Sequence, residues 1–207
     1  MRLIKGCFIF IGVITVLLFL LAGFGYCLLS LSPPLRAQMI PVALTPAAVQ
    51  SLDHKLEVFT TEIKKAVAAG LEREISLVIT EEEANSKLVL AIGEGKLPLR
   101  EVLVNFRKDV FLAYGALKTP GLSVKVGIKA YLELTGGKPK FIIEELQCGR
   151  LPLPKEIRKN VGDLLVVLFK VPMANLSGIF GELPWQATGI YLTDGQMIIK
   201  GVTKKGW

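Results

Sequence analysis

Histidine and cysteine are both scarce in this chain. Its 207 residues contain 1 His and 3 Cys, which removes most of the chemistry that depends on those side chains. His54 lies off the apolar stripe of its segment and is expected to face solvent, and no Gly-x-Ser-x-Gly elbow supplies a nucleophile for it to activate. Tetrahedral zinc sites draw on clusters of His and Cys, and here the two types are too few and too far apart. Cys7 and Cys27 belong to an apolar N-terminal run, so only Cys148 lies beyond it. No disulfide is expected within the rest of the chain, and Cys148, beside a strand end, reads as a small buried hydrophobe. Phosphate-cradling and dinucleotide-binding glycine patterns are missing as well. The chain is therefore not expected to be an enzyme, and no catalytic residue, cofactor or metal is assigned.

Charge is absent between Lys5 and Arg36. Within that gap Cys7 to Leu31 is almost entirely Leu, Ile, Val, Phe and Gly, long enough for the roughly 20 residues that a bilayer core requires. A cleavable signal peptide would have a shorter apolar region of about 7–15 residues and a small-x-small site, and Leu31 to Ala37 offers a poor one. A lipid-modified Cys27 would follow a small residue, but Tyr26 precedes it. Residues 1–31 are thus expected to be a short basic tail and an uncleaved transmembrane anchor. With Arg2 and Lys5 on the tail side, the N-terminus is placed in the cytoplasm and the C-terminal domain outside it, as a single-pass membrane protein. Residues 32–44, opened by Ser32-Pro33-Pro34, read as a short stiff linker, and residues 45–207 as one extracytoplasmic domain.

The formal net charge is +7. A basic outer domain favours proximity to anionic lipid head groups or wall polymers, although a solvated basic surface accounts for the charge equally well. Nucleic acid is not an expected partner, because no aromatic-and-basic binding motif is present.

Thr45-Pro46 opens a helix with apolar positions Val49, Leu52, Leu56, Phe59, Ile63 and Val67, and Gly70 stops it. Glu74–Thr80 alternates as a strand. Thr80-Glu81-Glu82-Glu83 follows as a capping box leading a second helix through Leu88 and Ile92. From Leu99 the period changes to two, and strands are expected over Leu99–Arg107, Val110–Leu117, Leu122–Leu134 and Phe141–Leu146, a four-stranded meander. The third is the longest. Leu122, Val124, Val126, Ile128, Ala130, Leu132 and Leu134 share one face, while Ser123, Lys125, Gly127, Lys129, Tyr131 and Glu133 form the face expected to be wet. Leu151-Pro152-Leu153-Pro154 is expected to break the sheet. A long helix follows from Pro154 with Leu164 and Leu168 on its stripe, and Pro172 kinks or ends it. Asp194-Gly195 signals a last hairpin. Gly95-Lys96-Leu97-Pro98-Leu99 returns as Gly149-Arg150-Leu151-Pro152-Leu153, which reads as one loop solution used twice.

The acidic residues have ordinary explanations. Glu81, Glu82 and Glu83 suit a helix N-terminus without calcium. Glu144 and Glu145 are neighbours on a strand and so face opposite sides. Asn175-Leu176-Ser177 matches a glycosylation sequon, a pattern that chance produces often.

Ile75-Ser76-Leu77-Val78-Ile79-Thr80-Glu81-Glu82-Glu83-Ala84-Asn85-Ser86-Lys87-Leu88 resembles the strand, Thr-Glu-Glu-Glu-x-Asn, helix opening of YpmS-like bacterial envelope proteins. The Leu-Pro-Leu-Pro break and the closing Tyr-Leu-Thr-Asp-Gly-Gln-Met-Ile-Ile-Lys-Gly hairpin fit the same plan, over roughly residues 45–203. Such proteins are similar to the tubular lipid-binding (TULIP) superfamily. The resemblance implies a binding class without catalytic residues, in which a curled antiparallel sheet wraps a long helix around a lipid-filled groove.

The fold class expected is therefore α+β, a long curled meander sheet wrapped around a long helix and preceded by a transmembrane helix. The expected function is binding of lipid or another amphiphile in an apolar groove lined by Val104, Phe106, Val124, Val126, Ile128, Leu164 and Leu168. The alternative is a structural or interaction module of a cell-envelope complex, with a closed core and a basic contact surface that includes Lys125 and Lys129.

Overall fold

The structure is a computed structural model and describes residues 15, 17–21, 23–119, 122–135, 138–152 and 184–203. The helix expected from Pro154, with Leu164, Leu168 and Pro172, lies outside the described residues, as do the Gly136-Gly137 turn and the Asn175 sequon.

One N-terminal helical span, Leu17–Gln38, is long and apolar enough to cross a membrane. Its α-helical part ends at Ser30, and the chain re-enters helical geometry as a 3-10 turn over Pro34–Gln38. Helix α1, Pro46–Ala68, starts as its sequence dictates. Thr45 accepts a hydrogen bond from the Ala48 N–H, and Pro46 occupies the first turn, where no amide donor is missed. Leu52, Leu56, Phe59 and Ile63 are buried. Gly70 ends the helix region at φ 64°, a conformation that costs a residue with a Cβ far more.

Strand β1 spans Glu74–Thr80 and helix α2 Glu81–Gly93. Strands β2 (Leu99–Arg107), β3 (Val110–Thr119), β4 (Leu122–Thr135), β5 (Lys138–Cys148) and β6 (Leu151–Pro152) form one antiparallel sheet in sequential order. The meander thus has a fifth strand where Leu151-Pro152 was expected to end the sheet. Pairing continues because Gly149, at φ 56°, reverses the chain tightly and sets Leu151 opposite Cys148. Proline is tolerated there because an edge strand does not need every donor. Gly95, at φ 73°, precedes Leu97-Pro98 in the same left-handed way, so the repeated motif is a shared turn geometry.

Strands β7 (Trp185–Thr193) and β8 (Gln196–Thr203) make the expected hairpin around Asp194-Gly195. Period alone does not say where β1 goes. It pairs antiparallel with β8, joining the two ends of the domain in a second sheet ordered β1-β8-β7. At the far end of this pairing Thr203 is buried, accepts from the Arg73 N–H and donates to the Leu71 carbonyl.

One apolar core joins α1, α2 and both sheets. It includes Phe59, Ile63, Ile79, Leu88, Val104, Phe106, Phe111, Ile128, Leu146, Trp185 and Ile199. The Phe59 and Trp185 rings meet edge to face at 5.3 Å, the arrangement that aromatic quadrupoles favour.

The opposite face of the meander corrects an expectation. Residues 33–42 do not hang free of the domain but lie across this face as a strap. Leu35, Met39, Leu103, Leu112 and Tyr114 form a second buried cluster, joined by Val42 and Val110. Gly127 makes room for the strap: a Cβ there would stand 3.2 Å from both Leu35 Cβ and Pro33 Cγ. The face expected to be wet is therefore dry around Gly127. Apolar runs in β2 and β3 (Val102-Leu103-Val104 and Phe111-Leu112-Ala113-Tyr114) carry the reason, since strands covered on both faces lose their alternation.

Candidate functional site

The Thr80–Asn85 segment is the most polar cluster in the core, and each member has a structural partner. Thr80 and Glu83 form the capping box in both directions. Glu81 accepts from Arg107 Nη1 at 3.0 Å and from the Phe106 N–H, and Glu82 accepts from Thr45 Oγ1 at 2.8 Å. Glu83, nearly fully buried, accepts from Ser51 Oγ at 2.7 Å, Lys55 Nζ at 2.9 Å and the Thr80 N–H at 2.9 Å. Burial raises the Glu83 pKa, but the bonds from Lys55, Thr80 and Ser51 outweigh it and hold the carboxyl below its ordinary range. Three adjacent glutamates therefore tie three different elements to the start of α2. Among the described residues, no group of three or more His, Cys, Asp or Glu converges to hold a metal ion.

Asn85 and Asn105, each 0% exposed, act as substitute strands. The Asn85 amide accepts from the Val104 N–H and donates to the Val104 carbonyl, both at 2.7 Å. β2 is an edge strand, and Asn85 satisfies the backbone groups that its open side presents. Two residues on, the Glu81 carboxylate takes the Phe106 N–H and the Gly195 N–H reaches the Phe106 carbonyl. Asn105 does the same on the other face, accepting from the Ile40 N–H at 2.8 Å and donating to the Ile40 carbonyl at 3.1 Å. This cluster holds the fold together, and within it the buried Nη2 of Arg107 has no hydrogen-bond partner among the described residues.

The apolar residues expected to line a groove have different surroundings. Val104, Phe106 and Ile128 are 1%, 0% and 5% exposed within the common core. Val124 and Val126 are half-buried near the start of β4, and Val126 packs against the same core. Leu164 and Leu168 lie outside the described residues. The structure brings Val104, Phe106, Val126 and Ile128 into one apolar body. Further along the same face, Leu132, Leu134, Phe141 and Ile143 are half-buried at its rim. A register shift between Lys129 and Ala130 inserts Glu144 as an extra residue on β5, a bulge that bends the strand pair and increases its twist. Glu144 is left on the outer side, where Lys129 pairs with it at 2.7 Å and Tyr131 donates to it at 3.0 Å. Glu145 accepts from Gln147 Nε2, which lies on the same outer side, and its charge also acts on Lys129, so the bulge overturns the expectation that Glu144 and Glu145 face opposite sides.

The junction between the apolar helix and the domain is tightly built. Leu17 to Leu21 are 52–75% exposed, and Phe24 is 64% exposed; from Leu28 to Ser30 the helix becomes half-buried. There the Arg150 N–H donates to the Leu28 carbonyl at 3.0 Å, and the Gly149 N–H donates to the Lys125 carbonyl at 2.6 Å. A Cβ on Gly149 would stand 2.1 Å from the Leu28 carbonyl oxygen, so only glycine permits this approach. Beyond it Lys125 Nζ reaches Ser32 Oγ at 3.2 Å, the Leu35 N–H donates to Gln147 Oε1 at 2.9 Å, and Arg36 stands 5.3 Å above the Tyr114 ring. Sequence reading missed this junction. Its signals were modest: apolar Leu35, Met39 and Val42 within a stretch read as linker.

No protein-family model matches the chain, and no curated protein matches it.

Proposed function

We propose that this protein is a membrane-anchored, non-catalytic domain of the YpmS-like, TULIP-related type that binds lipid or another amphiphile along the apolar face of β4. The observation that carries this reading is the placement of that face. It begins at Val126, opposite Cys148 and one residue from the Gly149 contact with the apolar helix, and it continues past the closed core to half-buried Leu132, Leu134, Phe141 and Ile143. An acyl chain laid against this face, under the helix expected from Pro154, gains about 25 cal/mol for each Å² removed from water. The reading keeps the N-terminus in the cytoplasm and the domain outside it.

A second reading, an interaction module with a closed core, is favoured by the near-complete burial of Val104, Phe106 and Ile128. Purification of the full chain in mild detergent, followed by native mass spectrometry and analysis of extracted lipids, decides between them. Amphiphile binding predicts co-purified lipid, reduced in Leu132→Glu. A protein that arrives empty and ignores added fluorescent fatty acids is an interaction module.

A further inference from the structure

Arg36, Lys125 and Arg150 lie near the end of the apolar helix, and among the described residues none of them has a carboxylate partner. Arg150 is exposed and bonded through its own N–H to the Leu28 carbonyl, and Lys125 lies against Ser32, the second residue after the α-helical part ends. Arg36 follows on the 3-10 turn. Among the described residues, the ion pairs join Lys55 to Glu83, Lys87 to Asp53, Lys96 to Glu94, Arg107 to Glu81 and Lys129 to Glu144. None engages Arg36, Lys125 or Arg150. The position of this cluster along the helix is set by the Arg150 N–H bond to Leu28 and the close approach of Gly149. Exposed apolar side chains run up to Phe24, Tyr26 is 48% exposed, the domain closes on the helix at Leu28, and Leu31 just past the helix end is 43% exposed. A tyrosine at that level is characteristic of the boundary between hydrocarbon and head groups. If the apolar helix spans a bilayer, this order along the chain brings Lys125 and Arg150 to head-group level.

We propose that Lys125 and Arg150, supported by Arg36, bind the phosphates of anionic phospholipids in the leaflet that meets the domain, seating the domain on the bilayer. This rests on the membrane-spanning part of the proposed function and not on occupancy of the β4 face. Each basic residue near an anionic surface raises association about fivefold, so the pair supplies a preference for anionic over zwitterionic lipid of roughly 30-fold.

The test uses the full chain, reconstituted in nanodiscs of phosphatidylcholine mixed with phosphatidylglycerol and released into the mass spectrometer with its retained lipids. The expected result is strong enrichment of phosphatidylglycerol on the native chain, retained in Lys64→Glu/Lys65→Glu on the exposed side of α1 and abolished in Lys125→Glu/Arg150→Glu. If charge reversal prevents folding, Lys125→Gln/Arg150→Gln should bring the enrichment close to unity while far-ultraviolet circular dichroism stays native. Equal retention of the two lipids by the native chain overturns the contact and leaves the anchor standing, as does an enrichment that survives both double substitutions. A chain that does not co-elute with nanodiscs at all overturns the anchor and the contact together.

Discussion

Glu83 shows how a single side chain links packing to pH. It is buried, yet its carboxyl is held below its ordinary pKa of 4.5 because Lys55, the Thr80 N–H and Ser51 all donate to it. A carboxyl with a depressed native pKa stabilises the fold fully above its unfolded pKa, and this contribution is lost as pH falls through the lower native value. Melting temperatures followed from about pH 6 to about pH 3 should therefore fall more steeply for the native chain than for Glu83→Gln, with the gap between them closing in acid. Parallel curves for the two proteins would show that Glu83 is not the linked group. Asn85 and Asn105 belong to the same scale. Composition marks each as an ordinary polar residue, and only the backbone it meets turns it into a surrogate strand.

At the scale of elements, local chemistry was legible and partnership was not. The Thr45 cap, the Thr80–Glu83 box, the hairpin order of β2 to β5 and the Asp194-Gly195 turn all form as sequence reading expects, since each depends on residues near one another in the chain. The pairing of β1 with β8 joins residues more than a hundred positions apart, and no period encodes it. The strap over 33–42 was hidden for a related reason: Leu35, Met39 and Val42 have helical spacing, but Pro33, Pro34 and Pro41 interrupt so short a run, and it gives no sign of the surface it will cover. Gly127 is the point at which the strap can be tested. Gly127→Val places new carbon against Pro33 and Leu35 and should lower stability by about 1–3 kcal/mol. Hydrogen exchange at the Leu35 and Ile40 amides should quicken, because Gln147 and Asn105 would lose them. Unchanged protection at both amides would mean that the strap does not depend on this glycine.

For the whole molecule, the consequence is that the folded unit does not begin after the linker. Leu28 meets Arg150, Pro33 and Leu35 meet Gly127, and Ile40 meets Asn105. A soluble form starting at Leu28 should keep all three contacts. One starting at Ala37 loses Leu35, which is 0% exposed, and should be less stable by about 1.5–3 kcal/mol from that side chain alone. Urea unfolding of the two truncations checks this, and equal midpoints with equal slopes would show that the strap adds no stability. The same contacts bring the start of the β4 apolar face and the Lys125–Arg150 pair to the end of the helix, giving the proposed lipid functions a common orientation.

By itself the sequence determined the apolar span, both helices and their caps, the long alternating strand and the scarcity of catalytic side chains. These follow from hydrophobic period, capping and turn chemistry, which act over a few residues and can be read in order. The tertiary structure decided that β1 closes onto β8, that the 33–42 stretch is a packed strap, and that the domain docks on the helix through Gly149. Those outcomes depend on which surfaces meet across long separations, where burial of apolar area and pairing of backbone groups select the partner.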